Sequence, residues 1–223
     1  RGDLYDRRHG GDPAASADEL YFYRVQDPNP TVIVRIASVD ANVSLTDVAT
    51  VGTGSTFTVY AASAEDDGEL RAYRVSSAAI TDLGKVDLSD RTLDSRIILA
   101  SGTAAVLGTE GGGIEEIAWF TPTMRGQLPA SSPLLQEGSG SVLGLAADPS
   151  RCYLFSASQS GQEGLKIFDF RDRITPLSKL YYDSTNHKGR GVFYDVVPDR
   201  LLSLTEHAVR LYRPDFRDTS ACS

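Results

Sequence analysis

The stretch GLKIFDFRDRITPLSKLYYDS, Gly164 to Ser184, is an alternating apolar segment, a charged turn and a second apolar segment. An earlier stretch, ELYFYRVQDPNPTVIVRIASVD from Glu19 to Asp40, has the same construction. If the two are copies of one unit, the chain is a repeat protein and its fold follows from the period. Aligning a loose template, Leu-x-x-aromatic-x-apolar, finds five copies: Leu20–Val25, Leu70–Val75, Ile114–Trp119, Leu165–Phe170 and Val209–Pro214. Their anchors are 50, 44, 51 and 44 residues apart, a period that belongs to propeller blades and is too long for ankyrin or leucine-rich arrays.

The residues between the anchors are rich in Val, Ile, Thr, Tyr and Phe and are cut by Gly, Pro, Asp or Ser at short intervals, which suits strands rather than a helical solenoid. Each period accommodates an inner strand (44–51, 96–100, 142–147, 192–197), a second strand (56–62, 104–108, 152–157, 200–205) and the template strand. An outer strand closes the unit at 32–39, 80–88 and 177–182. Template strands are apolar on both faces, with Leu20 and Phe22 on one and Tyr23 and Val25 on the other. Packing each sheet between two neighbours requires that pattern. A β-sandwich also uses regularly spaced short strands, but recurrence at this period favours the propeller.

The expected architecture is therefore an all-β propeller of about five four-stranded antiparallel blades, with repeats near 19–40, 43–90, 94–137, 141–185 and 190–216. A polar segment, 1–18, precedes it and a tail, 217–223, follows. Residues 1–18 are too few and too polar for a pair of strands. The end blades are then either incomplete, as in a piece of a larger propeller, or joined into one composite blade that hides the sheet edges. The two quoted stretches resemble the third and fourth strands of LVIVD-type propeller repeats, which read Gly-Leu-x-Ile-x-Asp, a short Asp/Pro turn and an outer strand. That resemblance implies a fold and carries no catalytic motif.

Thirty acidic against 22 basic residues give a net charge of −8, which disfavours nucleic acid and anionic membrane as partners. No apolar run is long enough for a membrane span. Cys152 and Cys222 have no zinc-site spacing. They read as a disulfide pinning the tail, worth about 4 kcal/mol by loop entropy, with two independent thiols as the alternative. The disulfide and the glycosylation-type triplet Asn42-Val43-Ser44 together favour an extracytoplasmic protein.

Three histidines show no HxH or HExxH spacing, and no GxSxG, Walker or dinucleotide glycine motif occurs. The recurrent polar feature is acidic. Turns between second and template strands carry Glu65, Asp66, Asp67, Glu110, Glu163 and Glu206, and in a propeller those turns share one face. With Asn186, His187 and His207 they form the expected binding face. Solubilising acids in β-turns would look the same. The leading expectation is a non-enzymatic scaffold or ligand-binding module that takes a protein partner with a basic segment and needs no cofactor. The alternative is a propeller hydrolase with a divalent cation, calcium by the chemistry of the oxygen donors, at the axial mouth.

Overall fold

The computed structural model describes residues 4–9, 18–25, 33–52, 54–64, 68–77, 79–86, 94–101, 104–110, 115–120, 132–137, 140–148, 153–159, 164–169, 178–182, 187–195 and 199–213. All the regular structure among them is β, in five antiparallel meanders. The first sheet holds β1 (Leu4–His9), β2 (Asp18–Val25) and β3 (Ile33–Asp40). The second holds β4 (Leu45–Val51), β5 (Thr56–Ser63), β6 (Leu70–Ser76) and β7 (Ile80–Val86). The third is β8 (Asp94–Ser101), β9 (Ala104–Glu110), β10 (Glu115–Phe120) and β11 (Ser132–Glu137). The fourth is β12 (Val142–Asp148), β13 (Tyr153–Ser158), β14 (Leu165–Asp169) and β15 (Ser178–Tyr182). The fifth has β16 (Gly189–Asp195), β17 (Arg200–Thr205) and β18 (Val209–Tyr212).

The chain is a β-propeller, with β4, β8, β12 and β16 as successive inner strands that pack side by side. Among the described residues the end sheets are three-stranded: the first lacks an inner strand and the fifth an outer one. Two strands escaped the sequence template. β1 reads LYDRRH, too polar to register, and β11 begins Ser132-Pro133, a start that only an edge strand tolerates. β16 begins three residues before its expected start, because its glycines read as loop.

Alternation sorts each strand's side chains between two neighbours. In β5, Val59 and Ala61 join Leu20, Phe22, Tyr73 and Val75 in the core between the first and second sheets. Tyr60 and Ala62 point the other way, joining Leu70, Ala72, Ile98 and Leu107 between the second and third. The same arrangement places Phe155, Leu165 and Ile167 against Tyr194 and Leu201 between the fourth and fifth. Burial on both faces explains why these strands read as near-continuous apolar runs.

Polar bonds across blades supplement these cores. Asp47 on β4 accepts a hydrogen bond from the backbone N–H of Ile98 on β8, at 3.0 Å. Burial raises its pKa above the ordinary carboxylate value, and backbone hydrogen bonds only partly counter that. The folded protein therefore binds this proton more tightly than the unfolded chain, so stability falls as pH rises between the two pKa values. Asp47→Asn keeps an oxygen acceptor for Ile98 without the charge. It should melt higher than the parent at pH 7, and the advantage should shrink as pH is lowered towards 4.5. An advantage equal at every pH in thermal melts would refute that origin.

Between the fourth and fifth sheets the Tyr194 hydroxyl lies 2.9 Å from Asp148 Oδ2 on β12 and 2.6 Å from Asp199 Oδ1 in the β16–β17 turn. Its pKa is pushed far up, first by burial and then by these two carboxylates. The Tyr194 ring also stacks on Phe155, with centroids 5.1 Å apart. Tyr194→Phe preserves the stacking but strips Asp148, 1% exposed, of this donor. Chemical denaturation should register a loss of about 1.5–3 kcal/mol, the range for hydrogen bonds to charged groups. A loss below 0.5 kcal/mol (roughly the level of a neutral surface change) would mean other donors satisfy that carboxylate.

Candidate functional site

One end of the propeller is assembled by the same device in four blades. At the start of each inner strand the pairing with the second strand slips by one residue: Leu45/Asp47 opposite Ser63/Ala62, Ser95/Ile97 opposite Thr109/Gly108, Val142/Gly144 opposite Ser158/Ala157, and Gly189/Gly191 opposite Thr205/Leu204. The extra residues of these bulges are Thr46, Arg96, Leu143 and Arg190. A hydroxyl residue stands at this point, at the end of β5, β13 and β17 and one residue before the end of β9, and Ser63, Thr109, Ser158 and Thr205 are all buried. Backbone bonds then tie the following turn to the residue before the inner strand: Ala64 N–H to Ser44 O, Gln159 N–H to Ser141 O and Glu206 N–H to Lys188 O. The turns between second and template strands therefore share one face with the starts of the inner strands, as the sequence predicts.

The fifth blade shows what this frame can present. The Lys188 carbonyl holds Glu206 at 3.3 Å, and the Thr205 hydroxyl accepts from the Ala208 N–H at 3.1 Å and orders the turn. His187 and His207 consequently meet edge to face with ring centroids 5.8 Å apart. At the same turn the Arg190 guanidinium donates from Nη2 to Oε1 of Glu206, the neighbour of His207, at 2.6 Å. His207 and Glu206 are exposed and His187 is half-buried, so the cluster faces solvent.

The position of this cluster depends on two glycines. Gly164, just before β14, and Gly189, the first residue of β16, cross so closely that a Cβ on Gly164 would clash with the His187 carbonyl oxygen. A Cβ on Gly189 would coincide with the Gly164 carbonyl oxygen. One turn further on, a Cβ on Gly144 would lie 2.8 Å from Val192 N. Gly144 holds the structural position that Asp47 occupies in the second blade. There a carboxylate bridges to the next inner strand, and here the absence of a side chain lets the backbones approach.

Of the residues expected at the site, His187, Glu206 and His207 are brought together from two loops. Glu110 ends β9 opposite Asp94, on the same face. Glu65, Asp66, Asp67, Glu163 and Asn186 lie outside the described residues, as do Cys152 and Cys222. Arg190 was missed, although the Gly-Arg-Gly triplet is the sequence trace of its bulge. The buried hydroxyl at or next to the end of β5, β9, β13 and β17 was also legible, as a Ser or Thr close before the turn.

No family model and no curated protein matches the chain. Solved structures do. A candidate 6-phosphogluconolactonase from Bacteroides uniformis superposes with a TM-score of 0.67 at 16% identity, over 91% of this chain and 61% of its own. The periplasmic gluconolactonase of Pseudomonas aeruginosa gives 0.66 at 13% identity, over 98% and 66%. The chain has the fold of these propellers. It spans less than two thirds of their length. The extracellular domain of a candidate one-component system from Bacteroides thetaiotaomicron is also similar, with a TM-score of 0.57 at 17% identity over 88% of this chain and 26% of that one. The resemblance to LVIVD repeats thus holds for the propeller class, without support for that particular family.

These neighbours correct one expectation. Propellers sharing the fold over nine tenths of the chain are named as lactone hydrolases, which points away from the non-enzymatic scaffold and towards the hydrolase held as its alternative. Two of these three neighbours are named as periplasmic or extracellular. Among the described residues no helix is long and apolar enough to cross a membrane.

Proposed function

We propose that the chain is a hydrolase of cyclic esters of sugar acids, with His187, Arg190, Glu206 and His207 at its catalytic centre. The observation that carries this reading is the meeting of two imidazoles beside an arginine–glutamate pair on the loop face, in a fold whose neighbours are named as gluconolactonases. Opening a lactone ring requires removal of a proton from the attacking water, stabilisation of negative charge on the carbonyl oxygen, and a proton for the departing ring oxygen. One imidazole, as general base, performs the first task, and its neighbour, as general acid, the third. Arg190 spends one N–H on Glu206 and has others to offer the developing oxyanion. The ion pair ties Arg190 to Glu206, the residue that adjoins His207.

Among the described residues no three His, Cys, Asp or Glu side chains are grouped to hold a metal ion, and the Glu206 carboxylate is engaged by Arg190.

The test is hydrolysis of glucono-δ-lactone, with and without a phosphate on the sugar, followed by proton release in a pH-stat. The purified chain should accelerate opening well above the spontaneous rate. A folded protein that accelerates neither lactone would overturn the proposal.

A further inference from the structure

We infer that Lys188 and Arg190 form a carboxylate-binding subsite beside the histidine pair, and that it retains the open-chain sugar acid released when a lactone ring opens. The origin of that ligand rests on the hydrolase reading, whereas the binding itself needs no turnover.

Four blades share one frame at this end, so residues at matching register can be compared directly. The residue before the inner strand is Ser44 in the second blade, Ser141 in the fourth and Lys188 in the fifth, and in all three its carbonyl accepts the same backbone bond from the following turn. The extra residue of the bulge is Thr46, Leu143 and Arg190, and the first residue of the turn is Ala64, Gln159 and Glu206. The second and fourth blades thus place no charge at these three positions. The third has Asp94, Arg96 and Glu110 there, two acids to one cation. Among the four, only the fifth has two cations to one acid, and it is the blade at which His187 and His207 meet.

Both cations are exposed. Arg190 donates to Glu206 Oε1 at 2.6 Å with 42% of its side chain accessible, so its guanidinium already holds one carboxylate and keeps further N–H groups for another. Among the described residues no acid pairs with the Lys188 ammonium. The Lys188 carbonyl accepts from the Glu206 N–H at 3.3 Å, which ties the backbone of Lys188 to the turn that carries the partner of Arg190. An excess of positive charge therefore stands at this edge of a chain whose net charge is −8. Salt screens exposed charges beyond roughly 8 Å, so an anion arriving here senses the local sign.

Lactone opening makes such an anion. Water adds across the ester: its hydroxyl joins the carbonyl carbon, the bond from that carbon to the ring oxygen breaks, and the ring oxygen takes a proton. The acid so formed gives its remaining proton to solvent at neutral pH, and an uncharged ring becomes a carboxylate. His187 adjoins Lys188 in the chain, so the charge appears at the border of the subsite. The expected consequence is inhibition by product.

Calorimetric titration of gluconate into the purified chain tests this without turnover, with sorbitol as the uncharged analogue and inorganic phosphate as a second anion. Gluconate should bind saturably, sorbitol should not, and phosphate should bind more weakly than gluconate. Lys188→Gln should weaken gluconate binding by about three- to fivefold, the scale of an exposed charge pair, and Lys188→Arg should restore it. Raising NaCl from about 20 to about 300 mM should weaken binding in the parent protein and less so in Lys188→Gln. As an inhibitor of lactone opening, gluconate should show an inhibition constant that rises by the same factor in Lys188→Gln. No binding of gluconate, equal binding of phosphate, or unchanged affinity in a folded Lys188→Gln would each overturn the subsite. Gluconate binding through Lys188 in a protein that opens no lactone would uphold the subsite and overturn the hydrolase reading alone, and lactone opening without gluconate binding would do the reverse.

Discussion

Gly164→Ala and Gly189→Ala are each expected to destabilise the fold by about 3 kcal/mol or more, at the upper end of what overpacking costs. The atoms that an added methyl would meet are backbone carbonyl oxygens, of His187 and of Gly164, and these cannot swing aside as a flexible side chain can. The two inner ends of the fourth and fifth sheets would have to separate. Separation would disturb the bond from Ser158 N–H to the Gly164 carbonyl, 3.0 Å long. For a chain of this size such a loss lowers the melting temperature by roughly 10 °C. Gly54 is the natural control: it lies in a turn with nothing within 4 Å of a Cβ, though its φ of +86° makes alanine there a strain of backbone alone. If Gly164→Ala melts with the parent protein, the crossing is looser than described and the placement of His187 loses its support.

His207→Asn is expected to lower lactone hydrolysis by about 10²–10⁴-fold, the usual contribution of a positioned general acid or base. The loss should fall on kcat, because proton transfer occurs in the transition state while the ground-state lactone barely senses it. His187→Asn should behave alike, and the double variant should be little worse than either single one, since two groups acting as a unit are not additive. Glu206→Gln tests a different point. It releases Arg190 from a 2.6 Å partner on the exposed loop face, so it should raise KM and lower kcat together without altering the melting temperature appreciably. Equal activity in His207→Asn and the parent protein would remove His207 from the mechanism. A melting temperature that fell with the activity would recast the histidine pair as a packing contact.

The blades were legible because strand alternation is a local property. Val59-Tyr60-Ala61-Ala62 can only serve a sheet buried on both faces, and the 44- to 51-residue spacing of the template strands can only serve stacked sheets of about four strands. The shared face of the turns followed from that topology without further information. Less of the site was legible. Catalytic motif spacing is a signal within one segment, whereas His187 and His207 lie on two loops that meet only because the β16–β17 pairing slips by one residue and a backbone bond draws Glu206 to Lys188. The acids that looked like the main feature include Glu206, and in the fold its role is to hold Arg190.

From its sequence alone this protein is determined to be a stack of β-meanders, with the period, the strand order and the apolar faces of each strand all set by nearest neighbours along the chain. Tertiary structure alone decides what those faces meet. Leu165 and Ile167 in the fourth blade, and Val209 and Leu211 in the fifth, carry the same pattern at the same structural positions, yet one pair is buried and the other is more than half exposed. Alternation specifies that a side chain points away from its sheet, and burial depends on whether another sheet stands 10 Å away to receive it.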